Sequence, residues 1–179
     1  MVRSDARENR ARILDSARAA FAETGDISMN QIGQRAGVGA GTLYRNFPTR
    51  EALVLAIYEE EVDRIVGSAS VLLAIMPPTD ALRTWTLDLV DAMVAKHGLG
   101  DALSAGRAQA LNEKNYGPVV AAITELLDAG KAAGTIRSDA DPDDFLQFTG
   151  ALWRSQPSGA GRVSRMLDLI LDGLAPEAH

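Results

Sequence analysis

The sequence predicts an all-α fold, and three observations support this prediction. Alanine and leucine, which favour helices, are abundant, while aromatic residues make up only 5% of the chain. Apolar residues recur at helical spacing in successive segments, and no segment alternates convincingly between apolar and polar residues as a strand would. With 46% hydrophobic residues, the chain of 179 residues can bury one large core or two smaller ones.

The N-terminal part predicts three helices. Apolar residues recur on one face from about Glu8 to Glu23, which predicts the first helix. Ser28 opens a Ser-x-x-Gln capping box for a short second helix, which Gly37 ends as a left-handed C-cap. A third short helix is predicted from Ala40 to Asn46, and Pro48 closes it because the residue before a proline avoids the helical region.

The rest of the chain predicts longer helices, about nine in all. Thr49 caps the fourth helix, and the pair Pro77-Pro78 is a firm break after it. A further helix begins at Thr79, and four more are expected at residues 101–112, 118–133, 142–155 and 161–174. We therefore predict two domains, residues 1–48 and residues 49–179.

Charge is distributed unevenly along the chain. The formal net charge is −6, yet residues 1–50 carry eight arginines against five acidic residues, a net +3 that leaves −9 for the remainder. A basic N-terminal part on an acidic body is typical of a DNA-binding domain attached to a larger regulatory domain.

Composition excludes several other classes of protein and site. The chain has no cysteine and only two histidines, which excludes disulfides, cysteine-zinc sites and histidine-rich metal sites, so we expect no metal and no cofactor. The charged residues 1–8 are not a signal peptide, and the longest apolar run, residues 71–78, is too short to span a bilayer. We therefore expect a cytoplasmic protein that does not interact with membranes.

Residues 28–47 carry the strongest functional pattern, two short predicted helices joined by a tight turn at Gly37. This arrangement is typical of a helix-turn-helix, whose second helix enters the major groove of DNA. That helix would present Thr42, Arg45 and Asn46, whose side chains can bind base edges or phosphates. By itself, the pattern also fits a compact helical hairpin in which Arg45 is a solvated charge and Asn46 a helix cap.

A longer stretch resembles a known family. Residues 36–53, AGVGAGTLYRNFPTREAL, are similar to the signature of the tetracycline-repressor (TetR-type) regulators. An upstream set of residues resembles the same signature: Arg12, Ile13, Leu14, Ala17, Phe21 and Gly25. The likeness covers residues 8–60. It implies an N-terminal DNA-binding domain of three helices, and a larger C-terminal helical domain that dimerises and usually holds an effector.

The resemblance also implies which residues contact double-stranded DNA. The candidates are Ser28, Gly39, Ala40, Gly41, Thr42, Tyr44, Arg45, Asn46, Thr49 and Arg50. Tyr44 and Arg50 suit phosphates, whereas Arg45 and Asn46 suit bases or adjacent phosphates. Gly39 stands where the family often has serine, and Ala40-Gly41 replaces a more polar pair. We therefore expect sequence specificity to depend chiefly on Arg45.

The C-terminal part contains candidates for an effector pocket and for a dimer interface. The middle helices could line an apolar pocket with Trp85, Leu89, Met93, His97, Leu103, Arg107, Leu111, Tyr116, Ile123 and Leu127. The last two helices could form a four-helix bundle with a second copy through Phe148, Leu152, Val163, Met166, Leu167, Ile170 and Leu171. The alternative in both cases is that these residues are ordinary core.

The sequence therefore predicts a homodimeric repressor that binds a pseudo-palindromic operator and is released by a small molecule. One alternative is a regulator that needs no ligand or needs a co-repressor. Another is a ligand-binding helical dimer with a vestigial DNA-binding domain, which the glycines at positions 39 and 41 keep open. We expect no enzyme, because His97, Asp101 and Ser104 lack the strand and nucleophile elbow of a catalytic triad.

Overall fold

The computed structural model describes residues 2–24, 27–98, 105–154 and 161–176, and these parts contain eight helices and no strand. The helices are α1 (Val2–Thr24), α2 (Met29–Arg35), α3 (Ala40–Asn46), α4 (Arg50–Ile75), α5 (Pro78–Gly98), α6 (Ala105–Ala132), α7 (Pro142–Arg154) and α8 (Arg162–Asp172). The prediction of an all-α fold is confirmed. In the described parts of the chain, none of these helices is long and apolar enough to cross a membrane.

The N-terminal unit includes the chain up to Glu60 and also Gly98 and Ala105, and it is built around one apolar core. Helix α1 packs on α2, and α2 packs on α3. The buried core residues come from all of α1–α3 and from the start of α4: Ile13, Leu14, Ala17, Ala20, Ile27, Ile32, Ala36, Leu43, Phe47, Leu53, Ala56 and Ile57. Since α4 contributes three of these residues, the unit extends to Glu60, past the boundary at residue 48 that the sequence suggested.

The second unit contains the rest of α4 and α5–α8. Trp85 of α5 is fully buried, and its indole Nε1 donates a hydrogen bond to the carbonyl oxygen of Ile65 in α4 at 2.7 Å. Helix α7 packs on α8 around Val90, Leu152 and Leu167. These contacts join α4, α7 and α8 to α5.

One helix contradicts the sequence prediction. Two helices were expected at residues 101–112 and 118–133, but α6 runs unbroken from Ala105 to Ala132 with Pro118 inside it. A proline removes one backbone hydrogen bond and costs a helix about 3 kcal/mol. Leu111, Val119 and Ile123 are buried on both sides of Pro118, and their burial offsets that cost. The predicted start at residues 101–104 lies outside the described residues.

Candidate DNA-binding surface

The turn between α2 and α3 has the geometry that a helix-turn-helix requires. Gly37 adopts φ +65°, a left-handed conformation that glycine accepts without strain, and Val38 N–H donates to the Gly33 carbonyl at 3.0 Å. A Cβ on Gly33 would lie only 3.2 Å from Cδ2 of Leu43, so the absence of a side chain lets α3 pack closely on α2. The buried Leu43 and Phe47 then fix the rotation of α3 on the core.

That rotation leaves one face of α3 exposed to solvent. The exposed residues are Gly39, Ala40, Gly41, Tyr44 and Arg45. A Cβ added at either glycine would meet no atom within 4 Å, so this end of the face consists of open backbone. The N-terminal half of this face carries no side chain larger than a methyl group. Its C-terminal half carries the long cationic side chain of Arg45 and the phenol of Tyr44. Such a face suits close approach to a DNA groove.

Arg45 makes a hydrogen bond within its own helix. Its Nη2 donates to Oγ1 of Thr42, one helical turn earlier, at 3.2 Å. A hydrogen bond between two exposed side chains is worth about 1 kcal/mol and exchanges readily with other partners. Arg45 and the half-buried Thr42 therefore stand together as donors where the sequence predicted them.

Asn46 makes a hydrogen bond within its own helix. Its Nδ2 donates to the carbonyl oxygen of Thr42 at 2.8 Å, in a partly buried position at the end of α3. The side chain thus bonds to the backbone of its own helix, four residues earlier. This contact gives Asn46 a structural role within α3, the helix that carries Arg45.

Two of the candidate hydroxyls also cap helices. Ser28 and Gln31 form the predicted capping box, with Gln31 N–H donating to Ser28 Oγ at 3.3 Å and Ser28 N–H donating to Gln31 Oε1 at 3.0 Å. Thr49 Oγ1 accepts the N–H of Ala52 at 3.0 Å at the start of α4. Both side chains are at the surface, but each already has a role in the fold.

Arg50 connects three segments of the N-terminal unit. Its guanidinium donates to the carbonyl oxygen of Ile27 and lies over the ring of Phe21, 4.8 Å from the centroid. On α1, Arg10 lies over the ring of Phe47 at the same distance. Sequence reasoning missed both cation–π contacts, because residues 21 and 50, or 10 and 47, share no periodic relation along the chain.

The positive charge of this unit is smaller than the count of arginines suggests. Arg35 pairs with Glu23 at 2.8 Å, and Arg18 pairs with Glu60 at 2.6 Å and with Asp15 at 3.0 Å. Acids thus offset two arginines outside α3, whereas Arg45 has a neutral partner, Thr42. Local positive charge is therefore retained on the exposed face of α3.

Most described candidates for the effector pocket are buried. Trp85, Leu89, Ile123, Leu127 and Leu111 are at most 5% exposed, and Met93 is half-buried. Tyr116 is 45% exposed, and its hydroxyl donates to Asp143, which raises the pKa of Tyr116. His97, Leu103 and Arg107 lie outside the residues whose side chains are described.

A cleft that the sequence did not indicate lies between α7, α8 and the segment before α7, with a volume of about 490 Å³. Phe145, Phe148, Leu169 and Ile170 line it together with acidic residues. Among these acids, Asp139 is paired with Arg137 at 2.6 Å, which lowers the pKa of Asp139.

The interface candidates on α7 and α8 separate into two groups. Leu152 and Leu167 have no exposed area in the single chain, where they pack α7 and α8 against Val90 of α5. Phe148 is 67% exposed. The other candidates are partly buried: Val163, Met166, Ile170 and Leu171. Leu169, which is not among the predicted interface residues, is 72% exposed.

Models of known protein families match both the N-terminal and the C-terminal part of the chain. Residues 13–57 match the family model of bacterial regulatory proteins described as the tetR family. Residues 77–176 match the model of the C-terminal domain of transcriptional regulators like SbtR. The second match alone covers more than half of the chain.

Solved structures and curated relatives agree with these matches. A TetR transcriptional regulator from Streptomyces coelicolor is 43% identical, with a TM-score of 0.80 over 94% of this chain and 99% of that one. A TetR regulatory protein from Mycobacterium vanbaalenii is 38% identical, with a TM-score of 0.76 over 98% and 99%. An HTH-type transcriptional regulator of Staphylococcus aureus is 42% identical over 64 residues, a match that spans only 35% of each chain.

Proposed function

The chain belongs to the TetR family of bacterial transcriptional regulators, and from that premise we propose that it is a sequence-specific repressor whose dimer binds a pseudo-palindromic operator. The observation that carries the proposal is the exposed face of α3, where Arg45 and Thr42 stand beside open backbone at Gly39 and Gly41. We place the protein in the cytoplasm, where bacterial DNA is.

In the proposed complex, α3 lies in the major groove. The Arg45 guanidinium leaves Thr42 and donates two hydrogen bonds to O6 and N7 of a guanine, the commonest specific contact between proteins and DNA. The open backbone at Gly39 and Gly41 lets the N-terminal half of α3 approach more closely than side chains would allow. Tyr44, which is 44% exposed, lies on the same face and suits a flanking phosphate.

We propose a homodimer because one helix-turn-helix buries little DNA surface. Two copies related by a two-fold axis double the contacts and read half-sites about one helical turn, roughly 34 Å, apart. The exposed Phe148 on α7 and Leu169 on α8 supply the apolar area that a stable interface needs.

We propose that a small molecule releases the repressor from its operator. The support is the membership of a family whose C-terminal domain usually holds an effector, and the apolar character of α5 and α6, where Trp85 and Ile123 are buried. Release requires that the ligand bind one conformation of the dimer more tightly than the conformation that fits the operator.

The decisive experiment selects bound duplexes from a random pool and measures binding to the selected sequence by fluorescence anisotropy. We expect a pseudo-palindromic consensus that binds at least about a thousandfold more tightly than a scrambled duplex at moderate salt. Equal binding of both duplexes would refute a sequence-specific regulator. Transcription from a promoter that contains the selected site should fall when the protein is added, and a rise would refute the repressor role.

A further inference from the structure

Helix α8 carries its charges at the ends where its own dipole disfavours them. Arg162 and Arg165 lie in its first turn, where a helix favours acidic residues. Asp168 and Asp172 lie in its C-terminal half, where a helix favours basic residues. The dipole of α8 therefore does not account for the placement of these charges.

The same charges share one face with exposed apolar side chains. Six residues line a shallow groove along α8: Arg162, Arg165, Met166, Asp168, Leu169 and Asp172. Leu169 is 72% exposed, and both Arg162 and Asp172 are exposed. From its N-terminal to its C-terminal end, this face is therefore basic, then apolar, then acidic.

We propose that α8 pairs antiparallel with α8 of a second copy of the chain, and that Arg162 of each copy forms an ion pair with Asp172 of the partner subunit. This inference rests on the dimer in the proposed function and adds the register and selectivity of its interface. A two-fold axis that crosses α8 midway between residues 162 and 172 brings each arginine to the opposite aspartate. Met166 and Leu169 then lie next to the axis, where exposed apolar area is covered.

The antiparallel arrangement also reverses the dipole penalty. The N-terminal end of each helix meets the C-terminal end of the other, so Arg162 lies beside the negative end of the partner helix and Asp172 beside the positive end. A parallel, in-register pairing of α8 with itself would instead bring like charges together. The charges thus favour the antiparallel pairing and disfavour dimers with related chains that lack the same pattern.

Contacts within the chain hold α8 in a fixed orientation for this pairing. Arg83 of α5 binds Asp168 at 2.9 Å and donates a second hydrogen bond to Ser164. Leu167 is fully buried on the opposite side of the helix from the groove. The partly buried Arg83 therefore fixes one flank of α8 while its groove remains open to a partner.

The test is a charge-swap experiment on two variants of the full chain, Arg162→Glu and Asp172→Lys. Each homodimer then contains two repulsive pairs, whereas the mixed dimer contains two attractive pairs. By sedimentation equilibrium at low salt, we expect each variant alone to dimerise about tenfold or more weakly than the wild type, because both pairs change sign. In an equimolar mixture of the two variants, dimers should form again. Heterodimers should then make up more than the half of all dimers that random pairing would give.

The variant Asp63→Lys makes the same change of charge on an exposed position of α4 and should dimerise like the wild type. High salt should reduce the defect of both α8 variants, since exposed pairs are screened. If both variants dimerise like the wild type and mix statistically, the ion pairs are refuted although the dimer stands. A wild-type chain that sediments as a monomer would refute the dimer of the proposed function and the pairing with it.

Discussion

Arg45 is the residue on which sequence recognition is expected to depend most. Its side chain is exposed and bonded to Thr42 of the same helix, so it can reach a base without breaking a contact of the core. We expect Arg45→Ala to cost about 1–3 kcal/mol of binding to the selected operator and to relax the preference at one base pair in each half-site. A repeat of the duplex selection with the variant measures both effects.

Arg35→Ala is the matched control for this prediction. It removes the same charge from the same unit, but Arg35 lies on α2, is paired with Glu23 of α1 and does not belong to the exposed face of α3. Its selected consensus should equal that of the wild type. If Arg45→Ala also returns the wild-type consensus, Arg45 does not read the bases and its contact is with phosphate.

Arg50 is expected to act on folding as well as on DNA. Its guanidinium holds the Ile27 carbonyl and covers the ring of Phe21, so Arg50→Ala should lower the free energy of unfolding by about 1–2 kcal/mol. The same variant should bind every duplex more weakly and show a flatter dependence of affinity on salt, if the residue also contacts phosphate. Urea denaturation and salt titrations measure the two effects separately.

Arg50→Lys separates these roles, because it keeps a charge for phosphate but lacks the planar guanidinium that lies over Phe21. We expect it to retain the wild-type salt slope while losing part of the stability. Wild-type stability in Arg50→Ala would show that neither contact contributes to the fold. A wild-type salt slope in Arg50→Ala would show that Arg50 does not touch phosphate.

Single residues were predicted best where the local sequence determines their role. The capping box of Ser28 and the left-handed turn at Gly37 depend on a few consecutive residues, and both are confirmed. The roles of Arg50 and Asn46 depend on packing that brings distant or partly buried atoms together, so the sequence could not distinguish contact with DNA from contact with the protein.

At the scale of elements, the end of α6 shows how a glycine can be essential inside a helix. A Cβ on Gly130 would lie 2.4 Å from Cδ1 and 2.7 Å from Cγ1 of Ile136, which is only 4% exposed. Ile136 cannot move away without disturbing the core, so Gly130→Ala should destabilise the chain by about 1–3 kcal/mol. Thermal and urea denaturation measure the change.

Gly67→Ala is the matched control, since Gly67 lies within α4 and a Cβ there would meet no atom within 4 Å. Alanine stabilises an open helical position by about 0.5–1 kcal/mol relative to glycine, so the two variants should change stability in opposite directions. A gain of stability in both would show that Ile136 yields to the new methyl group.

Elements bounded by strong local signals were predicted closely, and those that depend on burial were not. The bounds of α3 agree with the prediction because Pro48 and Leu43 define its end and its inner face. The break expected near Pro118 does not occur, because the apolar side chains on both sides are buried along one continuous stripe. Neither the depth of burial of Leu152 nor the exposure of Leu169 can be read from periodicity, since both are apolar residues of amphipathic helices.

For the whole molecule, the uneven charge of the sequence predicted a basic DNA-binding domain attached to a larger acidic domain. The chain divides into two compact units, in agreement with a two-part organisation. The boundary moved because the first turns of α4 supply Leu53, Ala56 and Ile57 to the core of the N-terminal unit. Dimerisation is a property of two chains, so the sequence pattern of one chain predicts it least directly. It depends on apolar area that is exposed in the monomer, which on α7 and α8 lies at Phe148 and Leu169.

Leu169→Asp should therefore disrupt the dimer without unfolding the chain. The side chain is 72% exposed, so the change costs little in the monomer, but it places an unpaired charge in an apolar interface. By sedimentation we expect monomers at micromolar concentration. Affinity for the full operator should fall more than tenfold, because the second half-site is no longer bound at the high effective concentration that a dimer provides.

Val71→Asp tests whether this effect belongs to the interface. Val71 lies on α4 and is 60% exposed, so the control introduces the same acid at a comparably exposed apolar position. It should leave both the dimer and operator affinity unchanged. If Val71→Asp dissociates the dimer and Leu169→Asp does not, the partner binds α4 instead of α8. If Leu169→Asp is monomeric but binds the full operator as tightly as the wild type, each half-site is recognised independently and dimerisation is not what brings the two recognition helices to DNA.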